Sequence, residues 1–228
     1  MKIEIWSDYA CPYCYVGKRH LEQALKQFPH AKTVEIVHRA FELDPTVSAE
    51  VNTTTQQRIE RKYGRSPAAA MDFIRSVEHA GKRVGLEMNY ETVQYSNTFD
   101  SHRLTKLAAT LGKEVALNER LFRAYFTENA VLSNRETLLK CAEDVGISRD
   151  LAAKMLDSEQ FADDVRLDEQ QAARLGIHGV PFFVIDGKLG MSGAQPVEMM
   201  LQAMDQAWSE QTKTAIAEGM ACGVDGCH

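Results

Sequence analysis

The chain has 228 residues, 44% of them hydrophobic and 25% charged, with a formal net charge of −6 from 26 basic and 32 acidic side chains. That is enough for a substantial core in one large domain or two small ones. The acidic balance and the lack of a Lys/Arg cluster argue against nucleic acid as a partner, and the longest apolar run, Val180 to Ile185, is far short of a membrane span.

Met1-Lys2 runs straight into Ile3-Glu4-Ile5-Trp6. This leaves no room for the basic segment, apolar stretch and cleavage site of a secretory signal, so the expected location is the cytoplasm. In that reducing compartment the five cysteines, Cys11, Cys14, Cys141, Cys222 and Cys227, are expected to be catalytic, redox-sensing or metal-binding where they pair, not structural staples.

Lys2–Trp6 alternates apolar and polar residues as a short strand does. From Pro12, a good first-turn residue, Val16, His20/Leu21, Ala24/Leu25 and Phe28 recur at helical spacing until Pro29. Thr33–Phe41 is rich in β-branched and aromatic residues and predicts a second strand, stopped by Asp44-Pro45. Between about Asn52 and Leu175 only helical patterns occur. One opens at Ser66-Pro67 and runs toward Gly85, one covers Thr98–Leu111, and one covers Glu114–Glu128. Ser133-Asn134-Arg135-Glu136 has the form of a capping box ahead of a helix closed by Gly146, and short helices follow from Ser148 and from Ser158 to Gly176. Strand character returns at Val180–Ile185, and the Asp186-Gly187 turn followed by Lys188–Met191 predicts a hairpin. Pro196–Trp208 is a last amphipathic helix, followed by a small, Gly-rich tail. The fold class is α/β, with one four-stranded sheet drawn from both ends of the chain around an all-helical block.

Cys11-Pro12-Tyr13-Cys14 begins the first helix. Two thiols one turn apart can close a disulfide with little backbone movement. Unpaired N–H groups and the positive end of the helix dipole favour the thiolate, the form that attacks disulfides. Cys11 is the expected attacking sulfur, and Cys14, a turn deeper, the resolving one. A zinc site would need four ligands. The other close pair, Cys222 and Cys227, lies at the far end of the chain, so redox chemistry is favoured and no metal is expected. Val180-Pro181 puts a proline at the first residue of a strand, where its missing N–H is tolerated; by itself this is an ordinary trans bond opening an edge strand.

These pieces together resemble the DsbA family of thioredoxin-fold oxidoreductases, and within it the FrnE-like branch. The resemblance rests on Cys11-Pro12-Tyr13-Cys14, Gly179-Val180-Pro181-Phe182-Phe183, Phe41-Glu42-Leu43-Asp44-Pro45, Asn97-Thr98-Phe99-Asp100-Ser101-His102-Arg103-Leu104 and Ser192-Gly193-Ala194-Gln195. It covers roughly residues 1–210. It implies a discontinuous thioredoxin-like domain over 1–48 and 168–210, an inserted helical domain over 49–167, and a tail over 211–228. It also implies a cis bond at Val180-Pro181, with the Val180 backbone pairing to an extended substrate. The expected activity is thiol–disulfide exchange, or disulfide isomerisation, on protein or peptide substrates. No bound cofactor is expected; glutathione is weighed as a co-substrate, and glutathione or a thioredoxin-type system as the recycling partner.

Tyr13 departs from the periplasmic members of the family, which carry His there. A His can add positive charge beside a thiolate and Tyr cannot, so Pro12-Tyr13 predicts a weaker oxidant. A glutathione-dependent transferase or isomerase of the same fold is the alternative enzyme, but such enzymes characteristically carry Ser where this chain has Cys11. A non-catalytic peptide-binding or chaperone module is the alternative outside catalysis. Cys222 and Cys227 suggest an auxiliary redox pair, against a soft-metal site with His228 or two idle thiols. Cys141 is expected to be a small core residue. His102 and Arg103 are read as lining the cleft or lying on a helix surface, Trp6 and Asp8 as tuning the centre or packing, and Arg58–Lys62 as a solvated helix face.

Overall fold

The computed structural model describes residues 1–220, with side chains as far as residue 211. In chain order the elements are β1 (Lys2–Ser7), α1 (Pro12–Gln27), β2 (Glu35–Ala40), α2 (Thr55–Tyr63), α3 (Pro67–Arg83), α4 (Phe99–Thr110), α5 (Glu114–Phe126), α6 (Arg135–Asp144), α7 (Arg149–Leu156), α8 (Ala162–Arg174), β3 (Phe182–Ile185), β4 (Leu189–Ser192) and α9 (Val197–Met220). The sheet order is β2-β1-β3-β4, with β1 parallel to β2 and the other pairs antiparallel. The Asp186-Gly187 turn joins β3 to β4 with φ of 49° and 68°, the doubly positive pair a tight two-residue hairpin requires.

Alternation along β1 sorts its side chains between two layers. Ile3 and Ile5 pack with Leu21 and Ala24 of α1, with Phe28 just after it, and with Met200 and Met204 of α9. Trp6 faces the other way, against Ala172 of α8, Ile177 and Val184, and its indole N–H donates to the Asp168 carbonyl at 3.0 Å. A third cluster forms the core of the helical block and takes in Tyr9, Cys11, Cys14 and Tyr15. The start of α1 therefore lies where the sheet layer meets the helices.

Local signals account for most helix ends. Thr54 and Gln57 make a full capping box at α2, and Ser66 caps α3 by accepting from Ala69 N. Three expectations change. The cap of α6 is Asn134, which accepts from Thr137 N, while the Ser133 hydroxyl donates to the Ala49 carbonyl instead. The helix read from Ser158 starts only at Ala162, after Phe161 at φ 64°. The last helix runs on to Met220, through part of what composition suggested was tail.

One ionic knot ties α1 to the helical block. Glu119 of α5 accepts from the Tyr15 hydroxyl at 2.7 Å, from Lys18 Nζ at 2.6 Å and from Arg19. Burial would raise the Glu119 carboxyl, but the hydrogen bonds from Arg19, Lys18 and Tyr15 outweigh it and hold its pKa at about 2, down from 4.5. A depressed pKa means this stabilisation is complete above 4.5 and is lost as the pH falls through about 2. Glu119→Gln is expected to cost about 1–2 kcal/mol at pH 7, a figure reduced for partial exposure, and nothing once the pH is below 2. Urea titrations of the two proteins across that range check this; equal midpoints at pH 7 would contradict it.

Candidate active site

Cys11 is the N-cap of α1, with extended backbone (φ −96°, ψ 110°), and Pro12 supplies the preset first helical turn. The loop before it is closed by Cys11 N–H donating to the Asp8 carbonyl at 3.0 Å, and Cys14 N–H reaches the Cys11 carbonyl at 3.1 Å. Cys11 and Cys14 are both reduced and nearly buried, at 5% and 2% exposure.

The cis bond at Val180-Pro181 brings the loop before β3 against this helix start. The Cys11 thiol donates to the Val180 carbonyl at 3.4 Å, joining residues 169 positions apart. The Val180 N–H has no hydrogen-bond partner among the described residues. The approach depends on Gly17: a Cβ there would lie 3.1 Å from Pro181 Cγ and 3.3 Å from Phe183 Cζ. A glycine inside a helix costs about 1 kcal/mol against alanine, so Gly17 was itself a sequence signal of close packing.

Burial pushes the Cys14 thiol well above its ordinary value, and the hydrogen bond and charge of Cys11 and the charge of Asp8 add to that, against the backbone N–H of Asp8. Burial thus favours the neutral thiol of Cys14.

Asp8 anchors the loop from beneath. Its carboxylate accepts from Ala10 N–H at 3.2 Å, from the Thr98 hydroxyl at 2.8 Å and from Leu43 N–H at 2.8 Å, with His102 Nε2 3.6 Å away. Burial opposes its charge, but His102 and the Leu43 and Ala10 N–H groups outweigh that and hold the carboxyl below its usual range. His102 and Arg103 are both buried, which corrects the cleft and surface readings. His102 packs on the Tyr9 ring at 5.0 Å, and Arg103 donates to the carbonyls of Met155, Ser158 and Gln160. Cys141 lies in the helical core, its thiol pushed up to about 11 by burial. Cys222 and Cys227 lie outside the described residues.

A cavity of about 150 Å³ opens on Cys11, with Tyr13, Tyr90 and Val180 in its wall. Arg58 and Lys62 of α2 also line it: Arg61 and Lys62 are exposed, as expected of a solvated helix face, but Lys62 borders the cavity over Cys11 and Arg58 is half-buried there. Nothing local in the sequence marks them, because the orientation of α2 is set by its packing on α3.

A family model described as a DSBA-like thioredoxin domain matches residues 2–205. The chain belongs to that family. The DSBA-like chain is 40% identical to a probable DsbA oxidoreductase from Streptomyces coelicolor, whose crystal structure superposes with a TM-score of 0.89 over 92% of this chain and 91% of that one. It is 28% identical to the uncharacterized protein YwbO of Bacillus subtilis (strain 168), over 80% of this chain and 86% of the relative. Its fold also matches the cytosolic disulfide reductase DsbM of Pseudomonas aeruginosa, at 14% identity and a TM-score of 0.58 over 95% and 100% of the two chains, and DsbM has also been solved with GSH. Among the described residues no helix is long and apolar enough to cross a membrane.

Proposed function

We propose that this DSBA-like protein catalyses thiol–disulfide exchange on protein or peptide substrates through Cys11 and Cys14, in the cytoplasm. The observation that carries this reading is the placement of the Cys11 thiol at a helix start, 3.4 Å from the Val180 carbonyl, with Cys14 buried behind it. The Cys11 thiolate attacks one sulfur of a substrate disulfide, forming a mixed disulfide and releasing the other sulfur as a thiolate. Cys14 then attacks Cys11, closing the Cys11–Cys14 disulfide and releasing the second substrate sulfur. Two electrons pass to the substrate, and the two thiol protons end on its sulfurs. The reverse sequence oxidises a substrate dithiol. The unpaired Val180 N–H and its carbonyl fit an extended substrate segment lying alongside, as an added strand does. Glutathione or a thioredoxin-type system would restore the starting state, and GSH beside DsbM supports the former for a protein of this fold.

Direction follows from the reduction potential. With Tyr13 between the cysteines, the pair is expected to equilibrate in glutathione buffers at ~−200 to −230 mV, well below the ~−120 mV of a strong periplasmic oxidant. A value near −120 mV would overturn the role given to Tyr13. Failure of Cys11 and Cys14 to form a reversible disulfide in any buffer would overturn the function.

A further inference from the structure

Resting on that exchange chemistry, we propose that Arg58, with Arg61 and Lys62 beside it, forms a carboxylate-binding subsite next to Cys11. The favoured substrates are then disulfides carrying a carboxylate close to the reacting sulfur.

Arg58 is a half-buried cation without a counter-charge. Its guanidinium lies 4.0 Å from the Tyr95 ring centroid, and Nη2 donates to the Tyr90 hydroxyl at a long 3.4 Å. Nε is buried and has no partner. No carboxylate lies within salt-bridge distance of it among the described residues, whereas Arg39 reaches both Glu4 and Asp168 and Arg103 reaches Asp100 and three carbonyls. A guanidinium carries five N–H donors in a fork that matches a carboxylate, so Arg58 keeps most of its capacity unused. Arg61 and Lys62 follow at i+3 and i+4, on the same side of α2, and neither has a carboxylate partner within salt-bridge distance among the described residues.

Their position relative to the cysteines turns this into a specificity device. The cavity that opens on Cys11 has Arg58 and Lys62 in its wall and no acidic residue. An adjoining cavity of about 500 Å³ shares Leu43, Arg58 and Lys62 with it and adds Arg61. That is within the range of small-ligand and peptide side-chain sites. Asp44 and Glu50 line the outer cavity too, but both are exposed, and Asp44 already accepts from Thr46. A substrate sulfur at Cys11 thus places its neighbouring groups beside Arg58 and Lys62, which make no ion pair among the described residues, with Arg61 further out. A carboxylate there would pair with Arg58 in a setting partly shielded from water. The carboxylate can belong to a small acidic thiol or to an acidic side chain in a peptide; the chemistry recognised is the same.

The test uses the full chain, reduced beforehand so that its own dithiol supplies the two electrons. Formation of the Cys11–Cys14 disulfide is timed with four disulfides. Two are dimers of the tripeptide Glu-Cys-Gly and of its uncharged analogue Gln-Cys-Gly-amide. Two are dimers of a longer peptide with Glu or Gln on both sides of its cysteine. The acidic member is expected to react about tenfold faster in one arm or both, the size of a charged hydrogen bond partly open to water, and the ratio should fall as salt is added. A preference in the tripeptide arm alone names small acidic thiols, and one in the longer arm alone names acidic peptides. Arg58→Gln should bring the ratio to about one. Should that variant not fold, Arg61→Gln with Lys62→Gln, both on the exposed side of α2, should lower the ratio at least about threefold. Equal rates for acid and amide in both arms, or a ratio that these variants leave intact, would overturn the subsite and leave the exchange function standing. No reaction with any of the four would overturn the function itself.

Discussion

Cys14→Ala is expected to accumulate substrate as a stable mixed disulfide on Cys11, with turnover falling roughly a thousandfold or more. The reason is geometric. In the intact chain Cys14 sits one turn into α1, nearly buried, and the other described cysteine, Cys141, lies in the core of the helical block. Removing its sulfur leaves the first attack intact and deletes the step that releases product. Cys11→Ser should show the opposite pattern, with turnover lost and nothing trapped. Non-reducing electrophoresis and mass spectrometry of protein recovered from cells separate the two outcomes. Adducts that persist on Cys11→Ser, or turnover retained by Cys14→Ala, would mean the sulfurs do not have the roles assigned to them.

Asp8→Ala is expected to lower stability by about 3 kcal/mol or more, which for a chain of this size is a fall in melting temperature of about 6–12 °C. Asp8 joins three segments that meet only at the active site: the loop before α1, through Ala10; the segment after β2, through Leu43; and the start of α4, through Thr98. Truncation leaves those donors buried and unpaired, together with His102, whose Nε2 has no other partner. Asp8→Asn preserves the shape and an acceptor oxygen but turns an amide N–H₂ toward one of the donors, so it should cost about 1–2 kcal/mol. Thermal melts of the three proteins at one pH check the order. If Asp8→Ala melts with the wild type, the carboxylate is not what holds the loop.

Much of the fold was legible because its signals are local. The Asp186-Gly187 turn needs two left-handed residues, and the sequence supplies two that tolerate it. Pro12 and Ser66-Pro67 mark helix starts through fixed φ and a capping hydroxyl. The boundaries that moved were those where competing local partners existed. Ser133 and Asn134 could both cap α6, and the Ala49 carbonyl, far away in the chain, took the serine. Trp6 and Asp8 could not be told apart as tuning or packing groups from their place before the cysteines. Both are buried, and their contacts decide between them: Trp6 packs into the sheet layer, and Asp8 braces the loop.

The sequence by itself determined that two cysteines would stand one turn apart at a helix start, that a strand would precede them, and that a Val-Pro segment would open a later strand. Helix period, turn chemistry and proline geometry act over a few residues, so a linear reading reaches them. Only the tertiary structure decided that the Val180 carbonyl would meet the Cys11 thiol across 169 positions, that Gly17 would make room for that contact, and that a half-buried Arg58 and an exposed Lys62 would border the cavity over Cys11. Those placements come from the packing of separate layers against one another. Contact across them depends on how whole helices are oriented, which no single segment of the chain specifies.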